Sequence, residues 1–211
     1  MTPATPVPAA PPVPASAKPA RRGRPRSKSA RRAILRSALE LLREVGYARL
    51  TMEAVAERSR SGKATIYRWW PNKAALAAEA YLEDASPSLP FPDTGSVRED
   101  FRRQMQLLAQ FLNGPKGRTL AVLMGQGQDE PELLRTLQHE LFEGWRSDAA
   151  EAMLRGIRAG QVRPGVYTEI ALDALYGPLF HRFLSGHGGL TPDYVDALCE
   201  AVMTGIAPPG V

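Results

Sequence analysis

The sequence predicts an all-α protein of two parts. Apolar residues recur at helical spacing in one segment after another beyond Ser27, and no segment shows the sustained alternation of a half-buried strand. Stop and start signals divide these segments at helical lengths: Gly46, Pro71-Asn72, Gly114-Pro115, Gly160 and Thr191-Pro192. A third observation concerns charge. Residues 1–82 hold 16 Lys and Arg against 5 Asp and Glu, a net +11, whereas residues 83–211 hold 11 against 17, a net −6. The basic third suits a polyanion, unless its excess is only a solvated basic face, and the remainder does not.

Residues 1–20 are rich in Pro and Ala and lack hydrophobic periodicity, so they are expected to form no core. Lys18 to Arg32 contains eight basic residues and no acidic one. Within it, Arg21-Arg22-Gly23-Arg24-Pro25-Arg26 keeps the backbone extended and thin, the form that enters a minor groove, with Arg24 a candidate contact. The alternative is a basic tail that steers toward DNA without defined contacts. Residues 1–27 are accordingly expected to be a disordered basic arm.

A first helix is expected from near Ser27, with Ile34, Ala38, Leu41, Leu42 and Val45 on one face and Gly46 as its stop. Thr51 caps a second, short helix through about Arg58. Ser59-Arg60-Ser61-Gly62 is a tight connection to a third helix, Lys63 to about Trp70, and Pro71-Asn72 recaps a fourth from Lys73 to Leu82. Three short helices and a connecting helix are the layout of a helix-turn-helix DNA-binding domain, here residues 28–82. Such a domain lays one helix in the major groove and holds it with a second helix across it. In the third helix Ile66 and Trp70, four apart, should face the core. Lys63, Ala64 and Thr65 then occupy the exposed first turn, where they can reach base edges or nearby phosphates. Tyr67 and Arg68 flank them, suited to phosphate contacts. Tyr67, Trp69 and Trp70 cannot all face inward from one helix, so at least one must be exposed.

Residues 84–95, DASPSLPFPDTG, form a proline-punctuated boundary. Ser96-Val97-Arg98-Glu99 is a capping box opening a helix with Val97, Phe101, Met105, Leu108 and Phe111 on one face. A shorter helix is expected from about Arg118 to Gly125, and a long one from near Glu130-Pro131 to Gly160 that buries Leu134, Leu137, Leu141, Trp145 and Ala149. Helices near Thr168–Leu184 and from Thr191-Pro192 to Gly205 complete a larger helical domain over residues 96–206.

Leu50-Thr51-Met52-Glu53-Ala54-Val55-Ala56 followed by Lys63-Ala64-Thr65-Ile66-Tyr67-Arg68-Trp69-Trp70-Pro71-Asn72-Lys73 resembles the DNA-binding domain of the tetracycline-repressor (TetR) family, and the match covers residues 28–82. Leu175-Tyr176-Gly177-Pro178-Leu179 and Leu190-Thr191-Pro192 resemble one C-terminal domain type of that family more loosely. The resemblance implies a regulator, by family habit a repressor, in which a homodimer binds a palindromic operator and a small-molecule effector releases it. It implies phosphate contacts by Thr51, Lys73 and Tyr67 and base reading by Lys63 and Ala64; Thr65, Arg68 and Trp69 are candidate DNA contacts beside them. Glu53 falls where some relatives place a base contact; there it could accept from cytosine N4, or it could serve only the positive end of its own helix. Most relatives carry Ala-Gly-Val-Ser where this chain has Ser59-Arg60-Ser61-Gly62. If the turn keeps the family backbone, Arg60 is left-handed at about 1–2 kcal/mol. Ser61 would also forfeit part of the roughly 1.5–3 kcal/mol of a buried valine. The expectation is a helix-turn-helix less stable than most.

In the larger domain the resemblance implies that the last two helices pair with a second copy, making Tyr176, Phe180, Phe183, Tyr194, Leu198 and Val202 interface or core. An effector pocket would lie among the preceding helices, with Phe101, Met105, Met124, Phe142 and Trp145 either its walls or plain core. Its apolar lining favours a hydrophobic effector.

An enzyme is disfavoured, because His139, His181 and His187 have no metal-ligand spacing and no Gly-rich phosphate loop follows a strand. No cofactor or metal is expected. The rival that stands is a non-specific architectural DNA binder acting through its arm. With no apolar run near 18 residues and no signal peptide at the N-terminus, a cytoplasmic protein without membrane contact is expected. The single cysteine, Cys199, excludes an internal disulfide and is either a small buried apolar residue or a redox thiol.

Overall fold

A computed structural model describes residues 28–85 and 89–209, and among these every regular element is helical. The order is α1 Lys28–Arg49, α2 Met52–Ser59, α3 Lys63–Tyr67, α4 Lys73–Ala85, α5 Val97–Asn113, α6 Pro115–Asp129 and α7 Pro131–Leu137. A π-helical turn, Gln138–Phe142, then leads into α8 Glu143–Arg158, α9 Thr168–Ser185 and α10 Pro192–Gly205. The arm with Arg24 lies outside the described residues.

The N-terminal group packs α1 on α4 and on α2, with α3 held against α2. Its core is Ile34, Leu35, Ala38, Val55, Ile66, Trp70 and the alanine face of α4. Gly46 (φ 76°, ψ 167°) breaks α1 as expected, because only a residue without Cβ takes this conformation without strain. One further turn beyond it buries Tyr47 completely. In the larger group α5 packs against α6, α8, α9 and α10. Phe101, Met105, Leu108, Leu172, Leu175 and Leu179 fill that core. Gly156 of α8 meets the start of α5 so closely that a Cβ there would lie 2.8 Å from Val97 Cγ2.

Four elements differ from expectation. The third helix ends at Tyr67, and Trp69 and Trp70 follow in a turn, with Trp70 still buried. The fourth runs on to Ala85, which is buried. The helix expected over residues 118–125 covers Pro115–Asp129, because Pro115 sits at its first position, where a missing N–H costs nothing, so it starts the helix. The long helix after Glu130 is divided by the π-helical turn, whose extra residue shifts the inward face. Leu133 is fully buried where Leu134 was expected, Leu137, Leu141 and Ala149 are buried as expected, and Trp145 is only half-buried.

Candidate nucleic-acid interface and internal cavity

Two capped helix starts frame α3. Thr51 is extended (φ −131°, ψ 150°), and its Oγ1 accepts the Ala54 N–H at 3.1 Å, satisfying an otherwise orphaned donor of α2. Asn72 Oδ1 accepts the Ala75 N–H at 2.8 Å at the start of α4. Between them α2 ends on Arg60 in the left-handed region (φ 51°, ψ 36°), the one non-glycine residue with positive φ among those described. The Arg60 and Ser61 N–H groups bond back to the carbonyls of Glu57 and Ala56, closing the turn that aims α3. Ser61 is half-buried.

Ile66 and Trp70 fix α3 from beneath, and the Trp70 indole N–H donates to Glu79 of α4 at 2.7 Å while Arg31 of α1 pairs with the same carboxylate. The opposite side presents Lys63, Ala64, Tyr67 and Arg68 to solvent, with Thr65 half-buried beside them. Of the three neighbouring aromatics, Tyr67 is exposed, Trp70 buried and Trp69 half-buried with the Arg31 guanidinium 5.7 Å from its ring. Glu53, in the first turn of α2, reaches Lys63 at 3.0 Å, and that hydrogen bond, aided by its own backbone N–H, lowers the pKa of its carboxyl.

Lys73 is placed differently from Lys63. Its ammonium lies 4.1 Å from the centre of the Tyr47 ring and 3.5 Å from Glu130 at the junction of α6 and α7. Tyr47 donates its phenolic O–H to Glu130 at 2.6 Å, and burial followed by this bond raises the phenol's pKa. Asn72 Nδ2 donates to Glu132 at 2.5 Å. The start of α4 is thus fastened to α7 by two carboxylates.

The larger group encloses a cavity of about 90 Å³ lined by Phe142, Trp145, Tyr176 and Phe180, with Gln104 and Arg146 as polar members. Phe142 stands edge-on to Trp145 and Phe180, at 5.9 and 5.7 Å between ring centres. Gln104 is 4 % exposed; its Oε1 accepts the Tyr176 hydroxyl at 2.7 Å, and its amide nitrogen has no hydrogen bond among the described residues. Arg146 is neutralised by Glu169 and Asp173. A larger groove of about 540 Å³ between α4 and the π-helical turn, lined by Arg31, Trp69 and Glu79, is an open seam between the two groups.

Residues 34–80 match the family described as bacterial regulatory proteins, tetR family, and residues 91–202 match the tetracyclin repressor-like C-terminal domain. The chain belongs to the TetR family. It is a DNA-binding transcriptional regulator whose helix-turn-helix is α2 and α3. Among curated relatives, the uncharacterized HTH-type transcriptional regulator YdeS of Bacillus subtilis is 36% identical over 186 residues, 88% of this chain and 94% of the relative. The DNA-binding transcriptional repressor TetR of Mycobacteroides abscessus is 30% identical over 189 residues, 84% of this chain and 94% of the relative. Of solved structures, the TetR family transcription regulator SCO0332 is 34% identical with a TM-score of 0.71, covering 86% of this chain and all of that one.

In this TetR-family regulator the fold groups Thr51, Lys63, Ala64, Thr65, Tyr67 and Arg68 around α3, leaves Trp69 half-covered, and turns Lys73 onto Tyr47 and Glu130. Phe142 and Trp145 line the cavity. Phe101 and Met105 do not line it, because both are fully buried in the core beside it, and half-buried Met124 on α6 is not part of its wall. Sequence reasoning missed Tyr47, Gln104 and Glu130. An aromatic directly after the Gly46 stop was the only signal for Tyr47, and Gln104 sits between Phe101 and Met105 on an inward face where a polar residue is anomalous.

Proposed function

We propose that this protein is a homodimeric repressor that reads a palindromic operator and is released from it by a small apolar effector. The observation that carries the reading is the division of α3, anchored from beneath by Ile66 and Trp70 and presenting a polar first turn to solvent. A helix so held fits a major groove, with Lys63, Ala64 and Thr65 at base edges and Tyr67, Arg68 and Trp69 toward the flanking strands. Thr51 and Lys73, at the starts of α2 and α4, hold phosphates, where backbone N–H groups and helix dipoles favour anions. Residues 28–82 form the DNA-binding domain and residues 96–206 the domain for effector and partner. The protein works in the cytoplasm and has no catalytic role; among the described residues no helix is long and apolar enough to cross a membrane.

Dimerisation through α9 and α10 is supported by what α9 exposes. Ile170, Ala174, Gly177, His181 and Leu184 recur at alternating spacings of four and three along α9 and all face solvent, Ile170 at 66 % and Leu184 at 51 %. A two-fold axis along such a stripe brings it against its own copy. Effector binding is supported by the aromatic cavity and by the unengaged Gln104 amide, which suits a compact aromatic compound carrying a hydrogen-bond acceptor. The π-helical turn ends on Phe142 of the cavity wall, and α7 before it begins beside Glu130, which holds Lys73. An effector that pushes Phe142 therefore acts on α7 and, through Glu130 and Glu132, on the start of α4.

The test is selection of bound duplexes from a random pool at about 150 mM salt. The reading expects a palindrome with two like half-sites, whose complex is dissolved by members of a panel of small aromatic carbonyl compounds. Recovery of A·T-rich or unselected DNA contradicts it and favours an architectural binder.

A further inference from the structure

The ion pair between Glu53 and Lys63 joins the first turns of α2 and α3 on the face assigned to DNA. Both side chains are 58 % exposed, and Nζ lies 3.0 Å from Oε1. So exposed a pair contributes little to folding. A carboxylate on this face is also a liability for binding, since it approaches phosphates and weakens affinity for any duplex unless a base repays the repulsion. Cations dominate its surroundings: between Thr51 and Lys73 the sequence holds Arg58, Arg60, Lys63, Arg68 and Lys73 against Glu53 and Glu57. Of the two carboxylates, Glu53 is the one bonded to the first turn of α3.

The chemistry of base edges says what such a pair fits. A carboxylate only accepts and an ammonium only donates. In the major groove a G·C pair offers, side by side, the guanine N7 and O6 acceptors and the cytosine N4 donor. O6 and N4 are hydrogen-bonded to each other and so lie about 2.9 Å apart. That separation matches the spacing of Nζ and Oε1. With one of its three N–H groups on Glu53, Lys63 keeps two for O6 and N7. An A·T pair also sets a donor, adenine N6, beside acceptors, but N7 and O4 lie on opposite sides of it, so an ammonium held next to the carboxylate reaches only one of them.

We propose that Glu53 and Lys63 act as one reading unit that selects a single G·C base pair in each half-site, Lys63 donating to the guanine and Glu53 accepting from the N4 amino group of its paired cytosine. This rests on the reading of α3 as the recognition helix. It makes Glu53 a specificity-determining residue whose charge lowers affinity for DNA in general while sharpening the choice of one base pair.

The experiment compares selections from the same random pool by the full-length protein and by Glu53→Ala, Glu53→Gln and Lys63→Ala, with affinities for one unselected duplex and melting temperatures measured in parallel. The native protein should return a palindrome with G·C fixed at one position of each half-site. Glu53→Ala should keep the palindrome, lose about tenfold discrimination at that position alone, and bind unselected DNA more tightly than the native protein. Glu53→Gln, whose amide matches adenine N6 and N7, should shift the same position toward A·T. Lys63→Ala should relax that position too, and a double variant carrying Glu53→Ala and Lys63→Ala should relax it no further than either alone. A palindrome unchanged by Glu53→Ala overturns the proposal, as does a uniform loss of affinity accompanied by a lower melting temperature, which would make Glu53 only a partner of its helix end. Failure of the native protein to select any palindrome overturns the recognition-helix reading, and this proposal with it.

Discussion

Helices α3 and α9 each bury one side and leave the other in solvent, and the open sides differ in chemistry. On α3 the open side carries Lys63, Ala64, Tyr67 and Arg68 over only five helical residues, held in place by Ile66, the buried Trp70 that follows and the bond from Trp70 to Glu79. On α9, eighteen residues long, it carries Ile170, Ala174, Gly177 and Leu184. A polar, cationic face needs no cover until a polyanion arrives, and its position must be exact, hence the rigid anchoring by aromatics. An apolar face with small residues at its middle is unfavourable in water and fits a second helix at close range. The side chains left unburied on the two helices thus differ in the chemistry that would cover them.

The largest effect is expected on α9. A Cβ at Gly177 would meet nothing within 4 Å in the subunit, so Gly177→Arg should leave each chain folded. It should yield a monomer of about 23.0 kDa by light scattering. Operator affinity should fall by roughly 10²–10⁴-fold, the advantage lost when two linked half-site contacts become separate. A dimer with full affinity would move the interface elsewhere. By contrast Gly156, another helical glycine, is needed inside the subunit because Val97 fills its space.

A smaller change is expected in the turn that aims α3. Arg60→Gly relieves about 1–2 kcal/mol of left-handed strain. The freer unfolded chain returns about 0.4–1 kcal/mol of that gain. The melting temperature should therefore rise by only about 2–4 °C for a gain near 1 kcal/mol. An unchanged melting temperature together with unchanged DNA affinity would remove the assigned cost of this turn.

The smallest effect concerns Cys199 on α10, which is 1 % exposed, its Sγ 3.8 Å from the Arg98 carbonyl. Burial pushes its thiol up to about 11 from the ordinary 9.0, so thiolate is scarce near pH 8. The folded protein should resist iodoacetamide at that pH and react promptly once unfolded. Because the folded thiol holds its proton above the pH at which an exposed one releases it, this group erodes stability as pH rises past 9. Rapid alkylation of the native protein at pH 8 would instead mark Cys199 as a reactive thiol.

The same comparison shows how far the sequence could be read. The surroundings of α3 were legible because their signals are local: Thr51 and Asn72 cap the helices they precede, and Ile66 and Trp70 are four residues apart. The left-handed Arg60 and the half-buried Ser61 came through the family resemblance, which periodicity alone did not supply. Less was legible in the larger domain. Periodicity assumes an uninterrupted helix and so does not reveal the π-helical turn, and the adjacent, chemically alike Leu133 and Leu134 are not told apart by it. Pro115 reads as the end of one helix, and it also begins the next. The network of Tyr47, Lys73 and Glu130 joins residues up to 83 positions apart, and no local pattern encodes a contact of that reach. The cavity drew Phe142 and Trp145 from the expected walls, but Phe101 and Met105, equally apolar on paper, proved to be solid core.

The face of α3 is expected to read bases, whereas the capped start of α4 is expected only to hold a phosphate. This difference is tested most directly by comparing Lys63→Ala with Lys73→Ala on a set of duplexes that vary one operator position at a time, each measured across a range of salt. Lys63→Ala should change which bases are preferred. Lys73→Ala should weaken every duplex alike and reduce the slope of affinity against salt by about one unit. Identical profiles for the two variants would contradict the division between reader and anchor.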